Sequence, residues 1–125
     1  MSFADLNPKF HFFSPVSTSA DLVQHVDRAI IALDGRAPVG GDWSLEQLNP
    51  VTGAGVLRVD LWVNDLADYT CTYGFVVSDE KGTVPFARGE RTVVNIDLRS
   101  QAPQKWSREF RVAHAELLKD LPAYA

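Results

Sequence analysis

The hydrophobic period switches from helical to alternating in mid-chain, and that switch limits the fold more than any other feature. Leu22, Val26, Ala29, Ile30 and Leu33 recur at helical spacing. From Trp43 onward the spacing falls to two. Leu57, Val59, Leu61 and Val63 alternate with Arg58, Asp60, Trp62 and Asn64; Tyr69, Cys71, Tyr73, Phe75 and Val77 then alternate with Thr70, Thr72, Gly74 and Val76. A helix with one apolar stripe and strands with one apolar face must bury them against each other, so the pattern predicts a helix laid on an antiparallel sheet.

The elements follow from local signals. Residues 9–16, with Phe10, Phe12 and Phe13 ahead of Pro15, read as a first strand. Thr18 and Asp21 have capping-box spacing, which predicts a helix over about 19–34, stopped by Asp34-Gly35 and followed by a loop over 36–41. Strands are expected over 43–48, 55–64, 69–77 and 83–98, with a polar turn over 78–82. Pro85 and Gly89 predict a bulge or an edge position in the last strand. A terminal helix over 106–120 carries Phe110, Ala113 and Leu117 on its stripe. At 125 residues this is one α+β domain, a two-layer sandwich whose exposed sheet edges favour pairing in a homodimer or dimer of dimers.

Composition excludes several functions. A single cysteine leaves no internal disulfide and no multi-thiolate metal site, and no third ligand is evident beside Asp21 and His25, so no metal is expected. The net charge of −4 argues against nucleic acid as a partner. That charge is uneven: residues 1–80 hold 4 basic and 11 acidic side chains, whereas 81–125 hold 8 basic and 5 acidic. A basic second half suits a modest anionic ligand, or simply a solvated helix face. No apolar run approaches the ~20 residues of a membrane span, and the opening residues lack the pattern of a secretory signal, so a cytoplasmic protein without a membrane partner is expected.

The segment from Pro15 to Asp27, PVSTSADLVQHVD, is the most informative. Its Asp21, three residues, then His25-Val26 after a first strand resembles the hotdog-fold acyl-CoA thioesterases of the 4-hydroxybenzoyl-CoA thioesterase-like family. Tyr73-Gly74-Phe75 and the run from Ala87 to Val94 are similar to that family's last strands. The resemblance implies a hotdog fold with a curved sheet wrapped on a central helix, shortened here, and a thioester substrate that brings its own coenzyme A. No separate cofactor is implied. It also implies Asp21 as base or nucleophile, His25 as an orienting group, and the amides of Gln24 and Val26 as oxyanion donors. Thioester hydrolysis needs such a base and such donors, and a helix N-terminus offers unpaired N–H groups. Arg88, Arg91 and Arg99 are candidates for the phosphates of coenzyme A, because guanidinium forks match phosphate oxygens. The sequence departs from the family at Gln24, where it has Gly, and at Asp27-Arg28, where it has Asn-Asn.

Plainer roles compete with these. Asp21 also fits a helix cap, and an Asp-His pair four apart can be a local hydrogen bond. Cys71 in an alternating strand fits a buried small hydrophobe, and Trp43, Trp62 and Trp106 fit packing. Ser107, His114 and Asp120 share one predicted helix at spacings that cannot converge as a triad. Two other functions suit the same architecture: a hotdog enoyl-CoA hydratase, and a non-catalytic binding protein of hotdog or cystatin-like fold.

Overall fold

The computed structural model describes residues 9–16, 21–53 and 55–118. Five strands, β1 (Phe10–Pro15), β2 (Trp43–Gln47), β3 (Val56–Leu66), β4 (Thr70–Asp79) and β5 (Pro85–Val94), form one antiparallel sheet in the order β1-β3-β4-β5-β2. Helix α1 (Leu22–Asp34) leaves one edge strand and returns the chain to the other, so it crosses a face of the sheet. Helix α2 (Arg108–Ala115) follows the last strand.

The period predicted from sequence decides which atoms meet. Leu57, Val59, Leu61 and Val63 of β3 and Cys71, Tyr73, Phe75 and Val77 of β4 are completely buried, as are Val26, Ala29 and Ile30 of α1. A 13-residue helix is marginal alone in water, so this shared burial, roughly 1.5–3 kcal/mol per large side chain, holds α1 in place. Registry carries the inner face on to Ala87, Gly89, Arg91 and Val93 of β5, and from there to Trp43, Leu45 and Gln47 of β2.

Several boundaries differ from the sequence reading. Helix α1 begins at Leu22 and not near residue 19, because Asp21 has extended backbone and its carboxylate accepts the Val23 N–H at 3.1 Å. Asp21 is therefore the N-cap; Thr18, the cap expected from sequence, lies outside the described residues. The C-terminal stop is where it was expected, with Gly35 at φ 78° donating its N–H to the Ile31 carbonyl. Strand β5 ends at Val94, since the Val94 and Asn95 amides turn to the Val39 and Tyr69 carbonyls.

Neither an edge nor a bulge explains Gly89. It pairs in register between β4 and β2, and a Cβ there would stand 1.8 Å from the Ser44 carbonyl oxygen. The bulge expected in this strand lies at its start: Val77 pairs with Ala87 but Ser78 with Pro85, which leaves Phe86, next to Pro85, as the extra residue; a second register shift falls at Val63/Asp65. Helix α2 spans fewer residues than the 106–120 expected, starting from the Ser107 cap, whose hydroxyl accepts the Phe110 N–H. Its inward face carries Phe110 and His114, and Trp106, just ahead of the cap, continues the stack ring on ring at 3.9 and 3.6 Å; Ala113 is exposed.

Candidate functional site

Asp21, Gln24, His25 and Val26 lie at the N-terminal end of α1, but they do not all face one space. Asp21 opens onto a groove of about 410 Å³ between the helix start and the edge strand β2, lined also by Leu22, Leu45, Gln47, Pro50 and Val51. The carboxylate is exposed and lies at the positive end of the helix, where an anion is favoured. A carboxylate so placed can take a proton from water or attack a carbonyl directly. Asp27, farther along the helix, has its carboxyl pushed up by burial; Arg91 beside it pulls the other way, and the charge of Asp21 adds to the rise.

His25 points away from solvent. Its ring is 2% exposed, and its Nδ1 lies 2.6 Å from the Ser14 Oγ of β1, itself buried. The Gln24 amide donates to the Asp21 carbonyl at 3.2 Å. Val26 occupies the fifth helical position, beyond the unpaired donors of a helix start.

The three candidate arginines do not converge. Arg88 lies on the outer face of the sheet, exposed, and donates to Glu46 at 2.8 Å. Arg91 lies on the inner face, 5% exposed. It pairs with Asp27 at 3.5 Å, donates to the Gly40 and Thr92 carbonyls, and lies over the Trp43 ring at 4.8 Å. Those contacts occupy its guanidinium inside the protein. Arg99 is exposed on the turn after β5, where its amide donates to the Asp97 carboxylate.

The aromatic residues and Cys71 take packing positions. Trp43 meets Phe75 edge-on, and the Trp106 indole donates to the Thr70 carbonyl. Trp62 lies on the outer face, its indole donating to Asn64 and its ring over Gly74. Burial pushes the Cys71 thiol up to about 12, which leaves no thiolate for nucleophilic attack at neutral pH. Among the described residues no three His, Cys, Asp or Glu side chains lie together as a metal site, and no helix is long and apolar enough to cross a membrane.

At the opposite end of α1 the fold builds a cluster that sequence reasoning missed. The Tyr73 hydroxyl donates to Asp34 Oδ2 at 2.5 Å and lies 2.9 Å from His114 Nε2, which is itself 2.8 Å from Asp34 Oδ1. These residues come from α1, β4 and α2, so no local spacing announces them. The one available signal was a histidine four residues after Phe110. Ser107, of the excluded triad, is spent on capping, and Asp120 lies outside the described residues.

Comparison with known proteins places this geometry. No protein-family model matches the sequence, and no curated protein matches it. Solved structures do match. A protein from Bacillus stearothermophilus described as a predicted thioesterase superposes with a TM-score of 0.72 at 14% identity, over 89% of this chain and 97% of that one. A 1,4-dihydroxy-2-naphthoyl-CoA thioesterase from Synechocystis gives 0.68 at 13% identity, over 88% and 98%. A Staphylococcus aureus protein solved in complex with CoA gives 0.70 at 14% identity, over 94% and 88%. At such identities the likeness is one of fold, and it agrees with the fold implied by Asp21, His25-Val26 and the later strands: the chain is a hotdog-fold protein, with thioesterases among its structural kin.

Proposed function

We propose that this protein hydrolyses an acyl-CoA thioester in the groove at the start of α1, with Asp21 as base or nucleophile. The observation that carries the reading is Asp21 itself, a carboxylate at a helix N-terminus beside an open groove, in the fold of solved thioesterases. With Asp21 as base, the carboxylate takes a proton from water and the hydroxide adds to the thioester carbonyl. Collapse of the adduct then breaks the C–S bond, the proton held on Asp21 passes to the sulfur, and coenzyme A leaves as the thiol beside the free acid. The positive end of α1 favours the oxyanion through its field, to which Gln24 and Val26 contribute as part of the helix rather than as aimed donors. His25, held by Ser14, fixes the first turn of the helix against β1. Arg88 and Arg99, both exposed, are the candidates for the phosphates. A second copy paired along β2 would wall the groove on its open side.

Release of free thiol from a panel of acyl-CoA substrates tests this, with Asp21→Asn as the informative variant. Asparagine caps a helix about as well as aspartate, so the substitution removes the base and spares the fold. The expected result is a fall in kcat of about 100-fold or more with the melting temperature unchanged. Unchanged turnover removes Asp21 from the mechanism.

One observation favours a second reading, binding without catalysis: the Asp21 carboxylate already serves as the helix cap. Calorimetry showing acyl-CoA binding by a protein that releases no thiol would establish that reading over the first.

A further inference from the structure

The cluster at the C-terminal end of α1 poses a problem of proton counting. His114 Nδ1 lies 2.8 Å from the Phe110 carbonyl, which can only accept, so this nitrogen carries a proton. His114 Nε2 lies 2.8 Å from Asp34 Oδ1, and the other oxygen of that carboxylate already accepts from Tyr73. With its one proton on Nδ1, a neutral ring leaves Nε2 to accept from the Tyr73 hydroxyl 2.9 Å away, and Asp34 then faces both groups with no proton between them, unless Asp34 itself takes one up. The arrangement is complete only with one proton more than a neutral ring beside a carboxylate, and the simplest form is an imidazolium paired with Asp34. His114 and the Asp34 side chain are 3% and 6% exposed, so water cannot readily replace a lost bond.

The surrounding groups single out that pair. Burial pushes the Tyr73 hydroxyl far above its usual range and the Cys71 thiol up to about 12, so β4 presents two neutral groups. Asp34 of α1 and Glu109 of α2 supply negative charge, and Arg36, beyond α1, and Lys105, ahead of α2, supply positive charge at the same cavity. Arg36 is tied to Asn95 and lies over the Trp106 ring at 5.5 Å. That cavity, about 550 Å³, runs between the end of α1 and the inner side of α2, with Asp34 and His114 both in its wall. Beyond α2 the Leu117 carbonyl accepts the Val63 N–H, so the helix is anchored to the sheet just after its end, and the cluster secures its middle.

We propose that α2 is docked by a proton: the extra proton shared by His114 and Asp34 latches it to α1, and its loss loosens the helix and widens the cavity between them. Loss of that proton weakens the latch, because the charged ring is the form that satisfies both acceptors, the Phe110 carbonyl and Asp34. This inference is independent of the thioesterase reading, since it concerns the other end of α1.

Hydrogen exchange of the full chain between pH 6 and 8.5, corrected for intrinsic rates, tests the latch. Amides over 108–115 are expected to lose about tenfold in protection across that range while those of α1 hold theirs, and His114→Gln is expected to abolish the pH dependence. Equal protection at both ends of the range, or the same loss in His114→Gln, overturns the proposal. Should the variant fail to fold, nitrogen chemical shifts of the wild-type ring decide. Two protonated ring nitrogens at pH 6, with one lost as α2 loosens, support the latch. A neutral ring at pH 6 beside an ionised Asp34 refutes it.

Discussion

Arg88, Arg91 and Arg99 look alike in sequence, and the environment of each guanidinium separates them. Arg91 has odd parity in β5, shared with Ala87, Gly89 and Val93, so alternation alone places it on the inner face. What alternation could not supply was its partners: Asp27 comes from α1, Gly40 from the loop, and Trp43 from β2. Removing a buried charge strands whatever it was satisfying. Arg91→Ala should therefore destabilise the fold by about 3 kcal/mol in denaturant unfolding. Arg99→Ala should leave stability unchanged and, if Arg99 meets phosphate, raise KM for CoA substrates. The reverse pattern would return Arg91 to the ligand. Asp21 was legible as either cap or base, and the structure shows the cap.

At the scale of elements, the strand alternation and the helix stop at Gly35 were readable because both are short-range rules. The helix start was not, since Thr18 and Asp21 are both good caps and local chemistry does not choose between them. In α2 the period was correct and the face was wrong. Its inward stripe contains His114, a residue that a hydrophobicity rule assigns to solvent, because a partner for its ring comes from Asp34, 80 positions earlier. Gly89 shows the same limit: its reason is the Ser44 carbonyl on a neighbouring strand. Gly89→Ala should cost about 2 kcal/mol or more, with exchange rising first in β2, because that strand must move to admit the methyl group. A variant as stable as the wild type would mean that β2 yields at little cost.

For the molecule as a whole, the edge strand β2 governs how copies can pair. The Thr92 amide reaches the Asp42 carbonyl and the Leu48 amide reaches the Phe86 carbonyl, so even-numbered residues of this stretch face β5. Trp43, Leu45 and Gln47 consequently aim their backbone groups outward from the sheet edge, next to the Asp21 groove. Unpaired edges invite pairing. Leu45→Pro deletes one outward amide without touching the bonds to β5. If two copies join along β2, sedimentation should show the variant shifted to monomer, with thiol release falling in step; an unchanged oligomer would place the interface elsewhere. Periodicity and capping act within a few residues, so the chain alone announces a sheet wrapped on a helix and Asp21 at the helix start. The enclosure of Arg91, the inward turn of His25 to Ser14, and the meeting of Asp34, Tyr73 and His114 come from packing. Those contacts join residues far apart in the chain, and they exist only once the sheet, α1 and α2 have packed.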